Sequence, residues 1–175
     1  MKTRRIFTGI PLPEEAKNRV RAIQNTKIYP IKWMETDNLH ITLNFLGELS
    51  DEQIAEAEGV MAEALSGISA FYLNLTRLAA KRHMLWLVPE RSDELSDLKH
   101  ELSRRFREKR IEKRERERYA PHILIAKQKN PRRKMRFEAK NFAPIKFRVD
   151  GVNLYESRLT PKAATHILIR KFPLV

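Results

Sequence analysis

The stretch His40-Ile41-Thr42-Leu43 opens an apolar, β-branched run, and two later stretches repeat its pattern. The tetrapeptide HILI occurs at residues 122–125 and again at residues 166–169. Isoleucine and threonine favour strands, so each stretch predicts a strand that begins with a histidine. Alternate side chains of a strand share a face, so His40 and Thr42 should point to one side and Ile41 and Leu43 to the other. Three histidines on strands are therefore candidates for a chemical site.

Helices and strands alternate irregularly around these stretches. Amphipathic helices are predicted after Pro13, from the capping-box pattern Ser50-Asp51-Glu52-Gln53, and from near Ser92. The predicted strands span residues 5–10, 39–46, 71–78, 84–88, 122–127, 145–155 and 165–171. Several of these strands follow one another without a helix between them, so the predicted class is α+β with largely antiparallel sheet.

A weak internal repeat relates two of the histidines. His40 lies 27 residues after Pro13, and His122 lies 29 residues after Asp93. Each unit contains an amphipathic helix, a polar connector and a strand that opens with histidine. His166 instead follows a strand and a loop. The repeat pairs His40 with His122 and leaves His166 out.

The charge of the chain favours an anionic partner. Its 175 residues include 35 Lys and Arg against 22 Asp and Glu, a net charge of +13. Nucleic acid is the commonest partner of so basic a protein, although an anionic membrane surface or a thermophilic origin would also fit. Residues 127–148 hold nine basic residues and one acid, which favours a phosphate-facing surface. Residues 104–118 mix nine basic with four acidic residues and predict a solvated helix end or loop.

Several classes of protein fit poorly. The chain has no cysteine, which excludes disulfides and thiolate chemistry. It also lacks HExxH, a Walker-type loop and GxSxG, so no metal or cofactor is expected. No stretch reaches the length of a membrane span and no apolar leader is evident, so a cytoplasmic protein is expected.

Two histidines from equivalent strands could act together on one phosphorus centre. If the strands face each other across a cleft, one imidazole can serve as base and the other as acid, because an ordinary pKa near 6.5 lets both forms exist around neutrality. Trp86 and Tyr155 could stack on a nucleobase there, or could simply be buried strand aromatics.

The segment Trp33–Glu48, WMETDNLHITLNFLGE, resembles the first signature of the two-histidine phosphoesterases. Within that superfamily it is most similar to the RNA 2′,3′-cyclic phosphodiesterase branch, also called 2′-5′ RNA ligase. The likeness extends over nearly the whole chain. It includes the segments Arg5–Phe7, Leu12–Glu15, Leu85–Leu87, Tyr119–Lys127, Leu154–Ser157 and Phe172–Leu174.

This resemblance implies a single bilobal domain over residues 1–175, built from two intertwined lobes about a pseudo-two-fold axis. Two antiparallel sheets would flank a central cleft, with helices outside, and the protein would be a monomer. His40 and His122 would be catalytic, and Thr42 and Lys127 would hold phosphate oxygens. The family expects Thr or Ser where this chain has Leu124, and often has arginine where it has Lys127.

The activity implied is metal-independent hydrolysis of RNA 2′,3′-cyclic phosphate ends to 2′-phosphate, with possible 2′-5′ ligation as the reverse reaction. His122 would be the general base and His40 the general acid, or the roles could be reversed. Basic residues from Lys127 to Arg136 would follow the RNA backbone. A non-catalytic RNA-binding member of the same fold is the alternative, because leucine at position 124 cannot donate a hydrogen bond.

Overall fold

The computed structural model of the protein describes residues 2–24, 31–112, 118–136, 142–159 and 164–175. Nine strands and three α-helices are formed by these residues. In chain order they are β1 (Arg4–Pro11), α1 (Glu14–Gln24), β2 (Ile31–Trp33), β3 (His40–Leu49), α2 (Asp51–Leu65), β4 (Phe71–Lys81), β5 (Met84–Pro89), α3 (Asp93–Glu108), β6 (Ile123–Gln128), β7 (Ile145–Val149), β8 (Gly151–Leu159) and β9 (Ala164–Pro173).

Two sheets are formed by these strands, and every described strand pair is antiparallel. The first sheet has the order β3-β1-β8-β9, and the second has the order β2-β6-β5-β4-β7. His40 begins β3 in the first sheet, whereas His122 immediately precedes β6 in the second. The predicted α+β class with two antiparallel sheets is confirmed.

The strand predicted over residues 145–155 is wrong in one respect, because it is two strands in different sheets. β7 pairs with β4 in the second sheet, and β8 pairs with β1 and β9 in the first. The chain crosses between the sheets at Gly151, where a Cβ would lie 2.9 Å from the Phe172 carbonyl oxygen. Only glycine fits so close a backbone approach. The apolar alternation runs through this point without interruption, so the pattern alone did not reveal the crossing.

The helices begin where the sequence predicted. The Ser50 hydroxyl accepts a hydrogen bond from the Gln53 amide, and the Gln53 side chain accepts one from the Ser50 amide, which completes the capping box of α2. The Ser92 hydroxyl caps α3 through the Leu95 amide at 3.1 Å. Among the described residues, no helix is both long and apolar enough to cross a membrane.

Two helices each follow a strand of one sheet and pack against a strand of the other. α1 follows a strand of the first sheet and contacts β7 of the second, and α3 follows a strand of the second sheet and contacts β3 of the first. Both helices therefore link the two sheets.

The core takes one face of each motif strand and leaves the histidine face free. Ile41, Leu43, Ile123 and Ile125 are all buried at 2% exposure or less. Burial of each such side chain stabilises the fold by about 1.5–3 kcal/mol. Turning either strand over would expose these side chains and lose that stability, so the histidine face is fixed away from the core.

Candidate active site

A cavity of about 290 Å³ is lined by residues of both sheets. We call it the cleft. All four side chains that the sequence singled out line it: His40, Thr42, His122 and Lys127. Leu124 and His166 also line it. Strands far apart in the sequence thus bring three imidazoles to one cavity.

A β-bulge reorients β3 after the first motif. Thr8 is opposite Asn44 while the next residue, Gly9, is opposite Thr42, so Leu43 is the extra residue. Leu43 and Asn44 are consequently both buried, and Phe45 rather than Asn44 shares the cleft face with His40 and Thr42.

The same device occurs at the same position of the second motif. Leu85 is opposite Ala126 while Trp86 is opposite Leu124, so the extra residue lies three positions after His122, as Leu43 lies three after His40. Strict alternation would have turned Lys127 away from the cleft. The bulge turns it inward, and Lys127 is the equivalent of Phe45.

The His40 ring is oriented by hydrogen bonds at both nitrogens. Its Nδ1 lies 2.7 Å from the Asn38 carbonyl oxygen, which can only accept, so Nδ1 carries the proton. Nε2 therefore accepts from the Thr42 hydroxyl at 3.0 Å. Burial lowers the pKa of His40 to about 4; the Asn38 hydrogen bond raises it, and the charges of His166 and His122 lower it further.

A glycine makes room for the His40 ring. A Cβ on Gly9 would lie 3.2 Å from His40 Cδ2 and 3.0 Å from the Ile41 carbonyl oxygen. The ring also packs on Phe7, with centroids 4.9 Å apart, and Phe7 stacks in turn on Tyr155 at 5.0 Å. Phe7 thus packs against one side of the His40 imidazole and supports it.

The His122 ring is held in a matching way. Its Nδ1 lies 2.8 Å from the carbonyl oxygen of Ala120, again two residues earlier, so Nε2 carries the lone pair. Trp86 stacks on the ring at 3.7 Å between centroids and 15° between planes, and Lys81 Nζ lies 4.5 Å from the Trp86 centroid. Burial lowers the pKa of His122, the Ala120 hydrogen bond raises it, and the charge of Lys81 lowers it.

The two predicted stacking aromatics have partners within the site. Trp86 lies against His122, and Tyr155 lies against Phe7 and receives a hydrogen bond from Asn153 at 2.8 Å. These contacts within the protein favour the second possibility, strand aromatics packed against the protein's own rings, over nucleobase stacking.

His166 occupies a place that the sequence reasoning did not foresee. Its ring lies 4.8 Å from that of His40 at 79°, and 4.9 Å from Phe7. Burial lowers the pKa of His166, whereas hydrogen bonding to the Asn38 carbonyl raises it. β3 and β9 are the two edges of the first sheet, so this contact requires the sheet to curl over Phe7. The repeated HILI was the one feature of the sequence that singled out His166, and it did not predict that the His166 ring would face the cleft.

A buried polar network supports the first motif from behind. The Asn44 side-chain amide donates to Ser103 Oγ at 2.7 Å and to Glu112 Oε1 at 2.8 Å. Lys99 Nζ lies 3.6 Å from the same carboxylate, and both side chains are at most 4% exposed. Removing one member of such a pair typically costs about 3–5 kcal/mol, because the other charge stays buried. The network ties α3 to β3.

A second hydrogen bond links the two motif segments. The Tyr119 hydroxyl donates to the main-chain oxygen of Thr42 at 3.1 Å, and Tyr119 lies three residues before His122. This hydrogen bond holds the segment that precedes His122 against β3, the strand that carries His40.

The predicted basic surface begins at the cleft. Lys127 is exposed and lines the cleft, and residues 129–134 are exposed in the turns after β6. Residues 137–141, which belong to the same prediction, lie outside the described residues.

The mixed-charge stretch is solvated at its charged helix end, as predicted, but the prediction is wrong at Glu112, which is buried against Lys99. It forms the end of α3, where Arg104 pairs with Glu101 at 2.8 Å and with Glu108 at 2.5 Å. Residues 113–117 of this stretch lie outside the described residues.

Within the described ranges, no group of three or more His, Asp or Glu side chains has a geometry that could hold a metal ion. The three imidazoles line one cavity without converging as metal ligands do.

Comparison with known proteins identifies the family. The family model of the 2′-5′ RNA ligase superfamily matches residues 12–160. A protein of Methanothermobacter thermautotrophicus named RNA 2′,3′-cyclic phosphodiesterase is 27% identical over 97% of this chain and 98% of its own. One of the same name from Thermotoga maritima is 30% identical over 90% and 88%.

The fold is also found among solved structures. The apo crystal structure of E. coli LigT matches with a TM-score of 0.82 at 20% identity over 99% of both chains, and LigT complexed with 3′-AMP matches with 0.80. From the match of the family model over residues 12–160, we conclude that the chain belongs to the 2′-5′ RNA ligase superfamily.

Proposed function

We propose that the protein hydrolyses RNA 2′,3′-cyclic phosphate ends to 2′-phosphates. The observation that carries this proposal is the matched pair of imidazoles. His40 and His122 each donate Nδ1–H to a carbonyl two residues earlier, and both line one cleft. The names of the relatives, RNA 2′,3′-cyclic phosphodiesterase, support the same substrate.

The reaction needs one base and one acid. The base takes a proton from a water molecule while the water oxygen attacks phosphorus, and the P–O3′ bond breaks. The acid protonates the departing 3′-oxygen, which leaves a 2′-phosphomonoester and a 3′-hydroxyl. Nε2 of each ring can fill either role, and each such group typically contributes about 10²–10⁴ in rate.

The pKa order favours one assignment in the free cleft. The pKa of His40 is lowered to about 4, the larger of the two shifts, so His40 loses its proton first. This favours His40 as base and His122 as acid, the reverse of the assignment preferred from the sequence. The charge of a bound phosphate would raise both pKa values.

Phosphate oxygens would be held from both sheets. The Thr42 hydroxyl, which donates to His40 in the free protein, can turn to a non-bridging oxygen, and Lys127 supplies a positive charge that stabilises the developing anion. Leu124 occupies the position equivalent to Thr42 and offers no donor, so phosphate would be bound more weakly on that side.

Ligation would be the same chemistry in reverse. An RNA 5′-hydroxyl would take the place of water, and formation of a 2′-5′ linkage would compete with hydrolysis. Dilute RNA ends favour hydrolysis.

The test is turnover of a nucleoside 2′,3′-cyclic phosphate in the presence of EDTA. We expect only the 2′-monophosphate as product, and losses of at least about 100-fold in His40→Ala and His122→Ala. His100→Ala, at an exposed position on α3, is the matched control and should retain activity. Binding of RNA without turnover would instead identify a non-catalytic RNA-binding member.

A modified substrate separates acid from base. With sulfur in place of the 3′-oxygen, the leaving thiolate has a conjugate acid with a pKa of about 8.5 and needs little protonation. Removing the acid should then lower the turnover rate much less than removing the base. If His122→Ala is rescued and His40→Ala is not, His122 is the acid.

A further inference from the structure

A second cavity of about 430 Å³ adjoins the cleft. The two cavities share Arg5, Ser157 and Leu159. Ser157 is opposite His166 in the β8–β9 pair, and the His166 ring contacts that of His40. The junction between the cavities is therefore close to the candidate catalytic pair.

The second cavity is basic, and most of its charge is already paired. Four basic residues line it against Glu48 and Glu156. Arg4 pairs with Asp51 at 2.6 Å and with Glu156 at 3.5 Å, and Arg158 pairs with Glu156 at 2.6 Å.

Arg5 differs from these neighbours. It is exposed, and among the described residues its guanidinium has no ion-pair or hydrogen-bond partner. The residue opposite it on β3 is Glu48, which does not form an ion pair with it. A free guanidinium presents a planar fork of donors that suits a phosphodiester. Leu159, 70% exposed, adds apolar surface beside it.

We propose that Arg5 and Ser157 bind the phosphodiester immediately upstream of the terminal cyclic phosphate, and that the second cavity takes the upstream nucleoside. This inference rests on the proposed function, and it specifies the substrate as an oligonucleotide end rather than a mononucleotide. Leu159 packs against the upstream sugar or base.

The kinetic test compares two substrates, adenosine 2′,3′-cyclic phosphate and the dinucleotide ApA ending in a 2′,3′-cyclic phosphate. The wild-type protein should have a higher kcat/KM for the dinucleotide. Arg5→Gln should reduce the dinucleotide-to-mononucleotide ratio about 10- to 100-fold, the range for loss of a charge-assisted hydrogen bond. Arg91→Gln, at an exposed arginine outside both cavities, should leave the ratio unchanged.

Binding of the products keeps the inference testable without turnover. The wild-type protein should bind ApA 2′-phosphate more tightly than adenosine 2′-phosphate, and Arg5→Gln should remove that difference and reduce the salt slope by about one. If neither cyclic phosphate is turned over but this binding difference holds, the proposed function fails and the subsite stands. A ratio unchanged in Arg5→Gln, or equal losses on both ligands, would overturn the subsite.

Discussion

Replacing His40 with asparagine should remove a large part of the acid sensitivity of this fold. The pKa of His40 in the folded protein is about 4, whereas an unfolded histidine has a pKa of about 6.5. Between these values the unfolded chain binds a proton at this ring and the folded chain does not. The free energy of unfolding must therefore fall as the pH drops from 6.5 towards 4, whereas above pH 6.5 the contribution of His40 to it does not change.

The size of the effect follows from linkage. Each pH unit in that window is worth about 1.4 kcal/mol, so this ring removes roughly 2.5 kcal/mol between pH 7.5 and pH 4.5. Asparagine keeps a donor for the Asn38 carbonyl but does not titrate. The wild-type protein should accordingly lose about 2.5 kcal/mol more than His40→Asn across this range.

Urea unfolding at pH 7.5 and 4.5 measures the difference, and His100→Asn serves as a control for losing an exposed histidine. A proton NMR titration of the His40 ring gives the pKa directly. Equal pH dependence in wild type and His40→Asn, or a midpoint near 6.5, would refute the desolvated environment of His40 and, with it, the assignment of His40 as base.

Three further substitutions test the geometry of the cleft. Gly9→Ala places a Cβ 3.2 Å from His40 Cδ2, so kcat should fall about 10-fold or more and the free energy of unfolding by about 1–3 kcal/mol. Gly59→Ala on α2, where a Cβ meets open space, is the control. Equal kcat and stability in the two variants would contradict the close approach of Gly9 to the ring. Leu124→Thr supplies the missing hydroxyl and should raise kcat/KM for adenosine 2′,3′-cyclic phosphate several-fold; an unchanged value would mean that Leu124 is no handicap. His166→Ala should keep that activity within a few-fold and, by removing a covering ring and its charge, raise the pKa of His40 in an NMR titration; abolished activity would make His166 catalytic.

The sequence determined the local features of this protein, because they depend on neighbours along the chain. Ser50 and Ser92 cap their own helices, and the alternation of Ile41 with His40 and Thr42 fixes which face of β3 is apolar. Those local rules and the repeated motif selected His40, Thr42 and His122, whereas Lys127 was selected through the resemblance to the family.

The tertiary structure decided where those faces meet, because bulges, sheet curvature and strand crossings depend on contacts between distant segments. The bulge after His122 turns Lys127 into the cleft, and the crossing at Gly151 divides one predicted strand between two sheets. The curl of the first sheet brings His166 to His40. Periodicity reports the face that a residue takes within its own strand, but the position of that strand is set by long-range packing.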